Sequence, residues 1–317
     1  MFWAAKIHSP LISKNRDDRF WAPSLTSRVP SLLLRVFAAL AGVLVLILGY
    51  VHGVSEWKMR RTYEAPLRPL NAQAAPDLVA GRRMAEIIGC WAGCHGNQGE
   101  GGTSSIKGIH QSAAPTLSQV LPDYSDEELV RLVRYGVKRD GKSAIGMSSH
   151  TFWTLGDQDL VNIIAHLRAQ PTQPPKPRKH EITFRGRLAL ATGEWAVSAE
   201  QVNRSIPRWG ELPRSTAFER GRYLASIVCS ECHGLDFRGN ALEGGPSLAV
   251  LAVYQPAQFQ HLLRTGKPIG ERDIPAMSWM AKVAFTEQEI ADLYTFLREY
   301  HNLGTAPDSA SSKGSAK

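Results

Sequence analysis

Cysteine is scarce in this chain: 317 residues hold four, at positions 90, 94, 229 and 232. Four cysteines in two close pairs do not make the disulfide framework of a small secreted scaffold. An excess of one charge is also missing from most of the sequence. The formal net charge is +8, but residues 1–61 alone hold nine Lys or Arg against three Asp or Glu, which leaves only +2 for residues 62–317. No basic stripe for nucleic acid remains there. Long uncharged runs are few. One stands out, Val36 to Val51, and with Leu32–Leu34 and a tolerated Arg35 it reaches about 20 residues, enough for a hydrocarbon core of ~30 Å. A secretory signal has a shorter apolar region, roughly 7–15 residues, and a small-residue cleavage site. Gly49-Tyr-Val-His-Gly53 offers no such site, and the leader before the run is long for a signal. The pattern predicts an uncleaved transmembrane anchor over residues 31–53.

The four cysteines stand in two motifs. Cys229-Ser-Glu-Cys232-His233 is C-x-x-C-H, the attachment signature of a c-type haem. Two thiols add across the two vinyl groups of one porphyrin, and the adjacent His is held against the iron. Cys90-Trp-Ala-Gly-Cys94-His95 is C-x-x-x-C-H, with one extra residue between the thiols. A zinc site or a redox dithiol is the competing use of such pairs. The His directly after the second Cys suits haem better.

The surroundings of the motifs match. Gly81-Arg-Arg-Met-Ala precedes the first and Gly221-Arg-Tyr-Leu-Ala the second; Pro115-Thr-Leu and Pro246-Ser-Leu follow them. Tyr124 and Gly136 correspond to Tyr254 and Gly266, and Met147-Ser to Met277-Ser. This predicts a tandem repeat of one domain of roughly 90 residues. Met147 and Met277 fall at the same repeat position and are the expected sixth ligands opposite His95 and His233, since Met/His ligation is usual for cytochromes c. His150 is the rival in the first repeat and Met280 in the second. Leu160, Ile163, Ile164 and Leu167 follow helical spacing, as do Ile290, Leu293, Tyr294 and Leu297. Ser125-x-x-Glu128 and Thr286-x-x-Glu289 have the form of capping boxes.

C-x-x-C-H, then Pro-x-Leu, then Met, then a terminal helix resembles class I cytochrome c, over residues 76–170 and again 213–303. The resemblance implies an all-α fold with two tandem domains after a single N-terminal transmembrane helix. It further implies two covalently bound haems c, held by Cys90 and Cys94 and by Cys229 and Cys232, with His95, Met147, His233 and Met277 as axial iron ligands. It makes the Pro115 and Pro246 carbonyls the acceptors for the proximal histidines, and Gly81 and Gly221 the places where first and last helices cross. The extra residue between Cys90 and Cys94 departs from the family.

The expected organisation is a cytoplasmic segment over 1–30, the anchor over 31–53, a linker over 54–75, the first domain, a linker or strap over 171–212, the second domain, and a disordered tail over 304–317. Phe184 to Trp195 carries enough apolar residues to pack as a strap. Lys6, Lys14, Arg16, Arg19, Arg28 and Arg35 favour a cytoplasmic N-terminus, while Lys58, Arg60 and Arg61 oppose it. Attachment of c-type haem outside the bacterial inner membrane places the haem domains in the periplasm. Two six-coordinate irons predict electron transfer rather than substrate chemistry, with an oxidase, a dehydrogenase or a small carrier as redox partner. In plan the chain resembles the dihaem subunit of cbb-type haem–copper oxidases, and also the cytochrome subunits of periplasmic dehydrogenases. A dihaem peroxidase-like enzyme is the alternative, and it requires one iron with an open sixth position. The other histidines, among them His110, His166, His261 and His301, are expected at the surface or in packing.

Overall fold

The computed structural model describes residues 28–176, 179–270, 274, 277, 280–283 and 285–302. The expected tail, residues 304–317, and most of the N-terminal segment lie outside these. The chain divides into two compact units, one ending at Gly49 and one beginning at Tyr50.

In the first unit the described residues are helical, part of a helix that runs from Arg28 to Arg60. Leu32, Phe37, Leu40 and Leu46 are all well over half exposed. Ser31–Arg60 is long and apolar enough to cross a membrane. The helix runs beyond residue 53, where the anchor was expected to end. The helix continues to Arg60 because its last turns are packed: Val51 and Ser55 are buried.

The second unit is mostly helical and holds two crossed helix pairs. In the first, Leu78–Ile87 packs on Asp157–Arg168; in the second, Ala217–Val228 packs on Glu287–Asn302. Each pair meets at a glycine. A Cβ on Gly81 would collide with the Asn162 carbonyl and the His166 side chain, and one on Gly221 with the Asp292 carbonyl and Phe296. The sequence stripes form the contact: Leu160, Ile163 and Ile164 are buried in one pair, Ile290, Leu293 and Leu297 in the other. Helix ends follow local chemistry. Ser125 and Glu128 form a capping box on Asp126–Tyr135, which stops at left-handed Gly136 (φ 68°). Thr286 and Glu289 cap the last helix in the same way, through bonds of 2.8 and 3.2 Å. The Pro256–Thr265 helix ends at left-handed Gly266 (φ 72°).

One buried cluster contains side chains of both pairs, including Leu155, Leu160, Tyr223, Ile227, Leu293 and Phe296. Hydrogen bonds cross between the pairs. Thr154 Oγ1 lies 3.0 Å from Ser226 Oγ, the Tyr223 hydroxyl donates to Asp159 Oδ2 at 2.7 Å, and Arg83 pairs with Glu289.

The unit also holds a small sheet beside its helices. Gly102–Ile106 (β1) and His110–Ala114 (β2) form a hairpin that turns at Gly108 (φ 77°), and Glu181–Ile182 (β3) adds antiparallel to β2. The hairpin fills the longer path between motif and proline in the first half: His95 to Pro115 is 20 residues, His233 to Pro246 only 13. The Phe184–Thr192 helix lies on this hairpin, so close that Gly186 has the Ile109 carbonyl where a Cβ would go. Ile109, Ala189, Leu190, Trp195 and Val197 make a second core there, with Met59 and Tyr63 packed against it. Glu200 ties this segment to Lys58 at 3.5 Å and to Arg61 at 2.5 Å, and Arg187 reaches Glu56 at 2.8 Å. Residues 54–63 are therefore pinned against the strap, where a linker was expected.

Candidate functional site

Both Cys/His turns follow a helix that ends just before the first cysteine. In the second, Cys229 keeps helical backbone (φ −84°, ψ −30°) and Ser230–His233 forms a further helical turn. In the first, the extra residue is absorbed by left-handed backbone at Gly89 (φ 73°) and Ala92 (φ 60°), with the Cys94 N–H donating to the Gly89 carbonyl at 2.8 Å. A non-glycine residue in that region is uncommon. After each His the loops agree in detail. Gly101 N–H donates to the His95 carbonyl, and Gly239 N–H to the His233 carbonyl, both at 2.8 Å. Left-handed residues stand one, four and six positions after each His: Gly96, Gly99 and Gly101 in one loop, Gly234, Phe237 and Gly239 in the other.

The proline expectation has a geometric counterpart. His95 Nδ1 lies 2.9 Å from the Pro115 carbonyl, and His233 Nδ1 lies 2.7 Å from the Pro246 carbonyl. A carbonyl can only accept, so each Nδ1 carries the ring proton. In the neutral ring that leaves Nε2 with the lone pair a metal requires. His233 is buried, and burial holds its pKa below the usual value, which keeps the ring neutral.

The cysteines form no disulfide. Burial pushes the Cys90, Cys229 and Cys232 thiols up to about 12. The Glu231 carboxylate adds to the rise at Cys90, Cys94 and Cys232. Burial of this kind disfavours the thiolate, the form that serves as nucleophile. Among the described residues, no group of three or more His, Cys, Asp and Glu is arranged to hold a metal ion. The donor sets thus fit a haem that brings its own iron: paired thiols for the vinyl groups and an oriented Nε2 for the metal. The chemistry such a group supplies is reversible one-electron exchange at iron.

Met147 is half-buried. Its N–H donates to Ser198 Oγ at 3.2 Å, and it shares a cavity with Ser104, His110, His150, Glu231 and Glu243. Ser104 also hydrogen-bonds the Cys94 thiol, so the hairpin, the first motif and the Met147 segment border one space. His150 lines the same cavity with Nδ1 buried and unbonded, and burial pushes its pKa down to about 4. Met277 packs against the main core, and Met280, one turn on, is buried in it. His110 stacks on Trp195 at 4.7 Å and His166 meets Trp91 edge-on at 5.3 Å, so both are packing residues. The side chain of His301 lies outside the described residues.

The residues missed by sequence reasoning are Glu231, Glu243, Ser148 and Ser198. Burial, then the nearby Glu231, pushes Glu243 up to about 7. No sequence signal marks these four; Ser148 meets Glu231 across 83 residues and Ser198 meets Met147 across 51.

A C-x-x-C-H turn with its His backed by a carbonyl, enclosed by helices that cross at glycine, defines a c-type cytochrome domain. Residues 216–297 match the family model described as cytochrome C oxidase, cbb3-type, subunit III. The matched segment runs from the N-cap Thr216 to Leu297 and contains Cys229, Cys232, His233, Pro246 and Met277. A cytochrome c domain carries covalently bound haem c and serves electron transfer. No curated protein matches the chain.

Proposed function

We propose that the chain is a membrane-anchored dihaem c-type cytochrome, built from two class I domains over 76–170 and 213–303. Cys90 and Cys94 hold one haem and Cys229 and Cys232 the other. His95 and His233 are the proximal ligands, Met147 and Met277 the distal ones. The haem domains face the periplasm, and the protein passes electrons between a membrane or periplasmic donor and an acceptor such as a terminal oxidase. It is an electron carrier rather than an enzyme, either free or as a subunit of an oxidoreductase complex.

The observation that carries this reading is the duplicated proximal geometry. Two His rings, 138 residues apart in the chain, donate Nδ1 to proline carbonyls at 2.9 and 2.7 Å, after matching left-handed loops. This chain's residues orient both rings through their Nδ1 bonds, and burial keeps the His233 imidazole neutral. A span at the N-terminus raises the effective concentration of partners in the same membrane.

Haem stoichiometry tests the reading. The intact chain should carry two covalent haems by mass and by haemochrome absorbance, and Cys94→Ala should carry one. Two haems in Cys94→Ala, or a single haem in the parent, removes the first site. The buried, unbonded Nδ1 of His150 favours a second reading of that site alone, with His150 in place of Met147. Met147→Ala should then leave the first haem's spectrum unchanged and His150→Ala should alter it.

A further inference from the structure

The Met147 segment is held from two sides, and neither support belongs to the helix pair that carries it. On one side the Met147 N–H donates to Ser198 Oγ of the strap at 3.2 Å. On the other, the next residue reaches into the second C-x-x-C-H run: the Ser148 hydroxyl donates to Glu231 Oε1 at 2.5 Å, across 83 residues of chain. The short segment after Met147 is stiff. The Ser149 N–H closes on the Met147 carbonyl at 2.8 Å, the Thr151 hydroxyl donates to the Ser148 carbonyl at 2.8 Å, and Ser149 and Thr151 are fully buried. A second buried bond between the helix pairs, Thr154 to Ser226 at 3.0 Å, keeps this segment in register with the helix leading into Cys229.

Glu231 occupies one of the two x positions of the second motif. Haem attachment asks for two thiols and an imidazole and nothing of the residues between. A carboxyl group set among protein atoms costs free energy unless it is hydrogen-bonded. Among the described residues, the bond the Glu231 carboxyl makes is to Ser148, in the other half of the molecule. Its main-chain carbonyl accepts from Asn240 Nδ2 at 3.3 Å, which serves its own loop.

We infer that Glu231, though it lies inside the second haem-attachment run, is a positioning residue for the sixth ligand of the first haem, acting through Ser148. The inference rests on the proposed role of Met147 as that ligand. Through this bond the turn that presents Cys232 and His233 also sets where the Met147 backbone sits. Ser198 completes the hold from the strap.

The test uses the full haem-loaded chain in detergent. Met147→Ala and Met277→Ala first assign which part of the methionine-to-iron charge-transfer absorption belongs to which haem. Glu231→Ala and Ser148→Ala are then expected to lose the part that Met147→Ala removes and to lower the midpoint potential of that haem. The Met277-dependent part should stay in place. Glu231→Gln keeps an oxygen that accepts from Ser148, so it should restore the absorption. Haem content at two per chain shows that each variant is folded and loaded. If Glu231→Ala or Ser148→Ala leaves the Met147-dependent absorption intact, the inference is wrong. Loss of the Met277-dependent part alone also overturns it, since Glu231 would then serve its own motif. No spectral change in Met147→Ala is a different failure: it removes the ligand assignment itself, and the inference with it. Should Glu231→Ala prove unfolded, the Gln and Ser148→Ala pair decides the matter alone.

Discussion

Gly221 and Gly81 show how much one missing methyl decides. Each sits where two helix backbones touch, with a carbonyl of the partner helix in the place of a Cβ. Alanine there must push the helices apart, and overpacking of that kind costs about 1–3 kcal/mol. Gly221→Ala is expected to lower stability by that amount in denaturant titration and Gly81→Ala to do the same; wild-type midpoints in both would contradict the crossing geometry. These glycines were legible because they match the place where the class I cytochrome c family crosses its first and last helices. The opposite case is Phe237. It occupies left-handed backbone (φ 56°) at the position where the first loop has Gly99. A side chain there is disfavoured locally, but the ring packs on Phe296 at 5.7 Å and Tyr300 at 5.5 Å. Nothing in the local sequence announces such a backbone, because tertiary packing holds it.

Among elements, helices were readable and the sheet was not. The last helix has its apolar stripe and its cap written within three turns of sequence, Thr286 to Leu297. Thr286→Ala removes the hydroxyl that accepts from Glu289 N–H at 3.2 Å, and should cost about 1 kcal/mol. A thermal melt that does not shift would show that the tertiary contacts of this helix make its cap redundant. The β1–β2 hairpin escaped the reading because Gly102–Ala114 is rich in Ser, Gly and Ala, with weak alternation and little β-branched character. Its strand pairing depends on cover from the Phe184–Thr192 helix, some seventy residues later. The apolar residues of that strap were visible; what they would cover was not. The cavity beside Met147 was illegible for the same reason, since hairpin, strap and second motif each supply part of its wall.

At the scale of the whole molecule, a charge cluster joins the first half to the strap. Arg134 is buried, 2.7 Å from Asp157, while Arg208 lies 2.6 Å from the same carboxylate and Glu211 stands 3.7 Å from Arg134. Burial pulls the Asp157 carboxyl up, but the hydrogen bonds from Asn71 N–H and Arg134 and the two guanidinium charges outweigh it. Its pKa is held below the usual carboxylate value. A depressed pKa of this kind contributes stability above the ordinary Asp value of about 3.9, and that contribution is lost as pH falls through the lower folded value. Asp157→Asn should therefore cost about 2 kcal/mol at neutral pH, less than a wholly enclosed pair because Glu211 remains beside Arg134. The gap between variant and parent should close below about pH 4. A gap that is flat with pH would show that packing, not charge, holds the strap to the first half.

The shared wall between the halves bears on how freely this molecule can vary. In an isolated C-x-x-C-H run the middle two letters are open to drift. Here one of them is answerable to a serine in another part of the chain. A library that randomises Ser148, Ser230 and Glu231 should be pruned by a requirement that the local porphyrin never imposes, and surviving changes at 231 should arrive together with changes at 148.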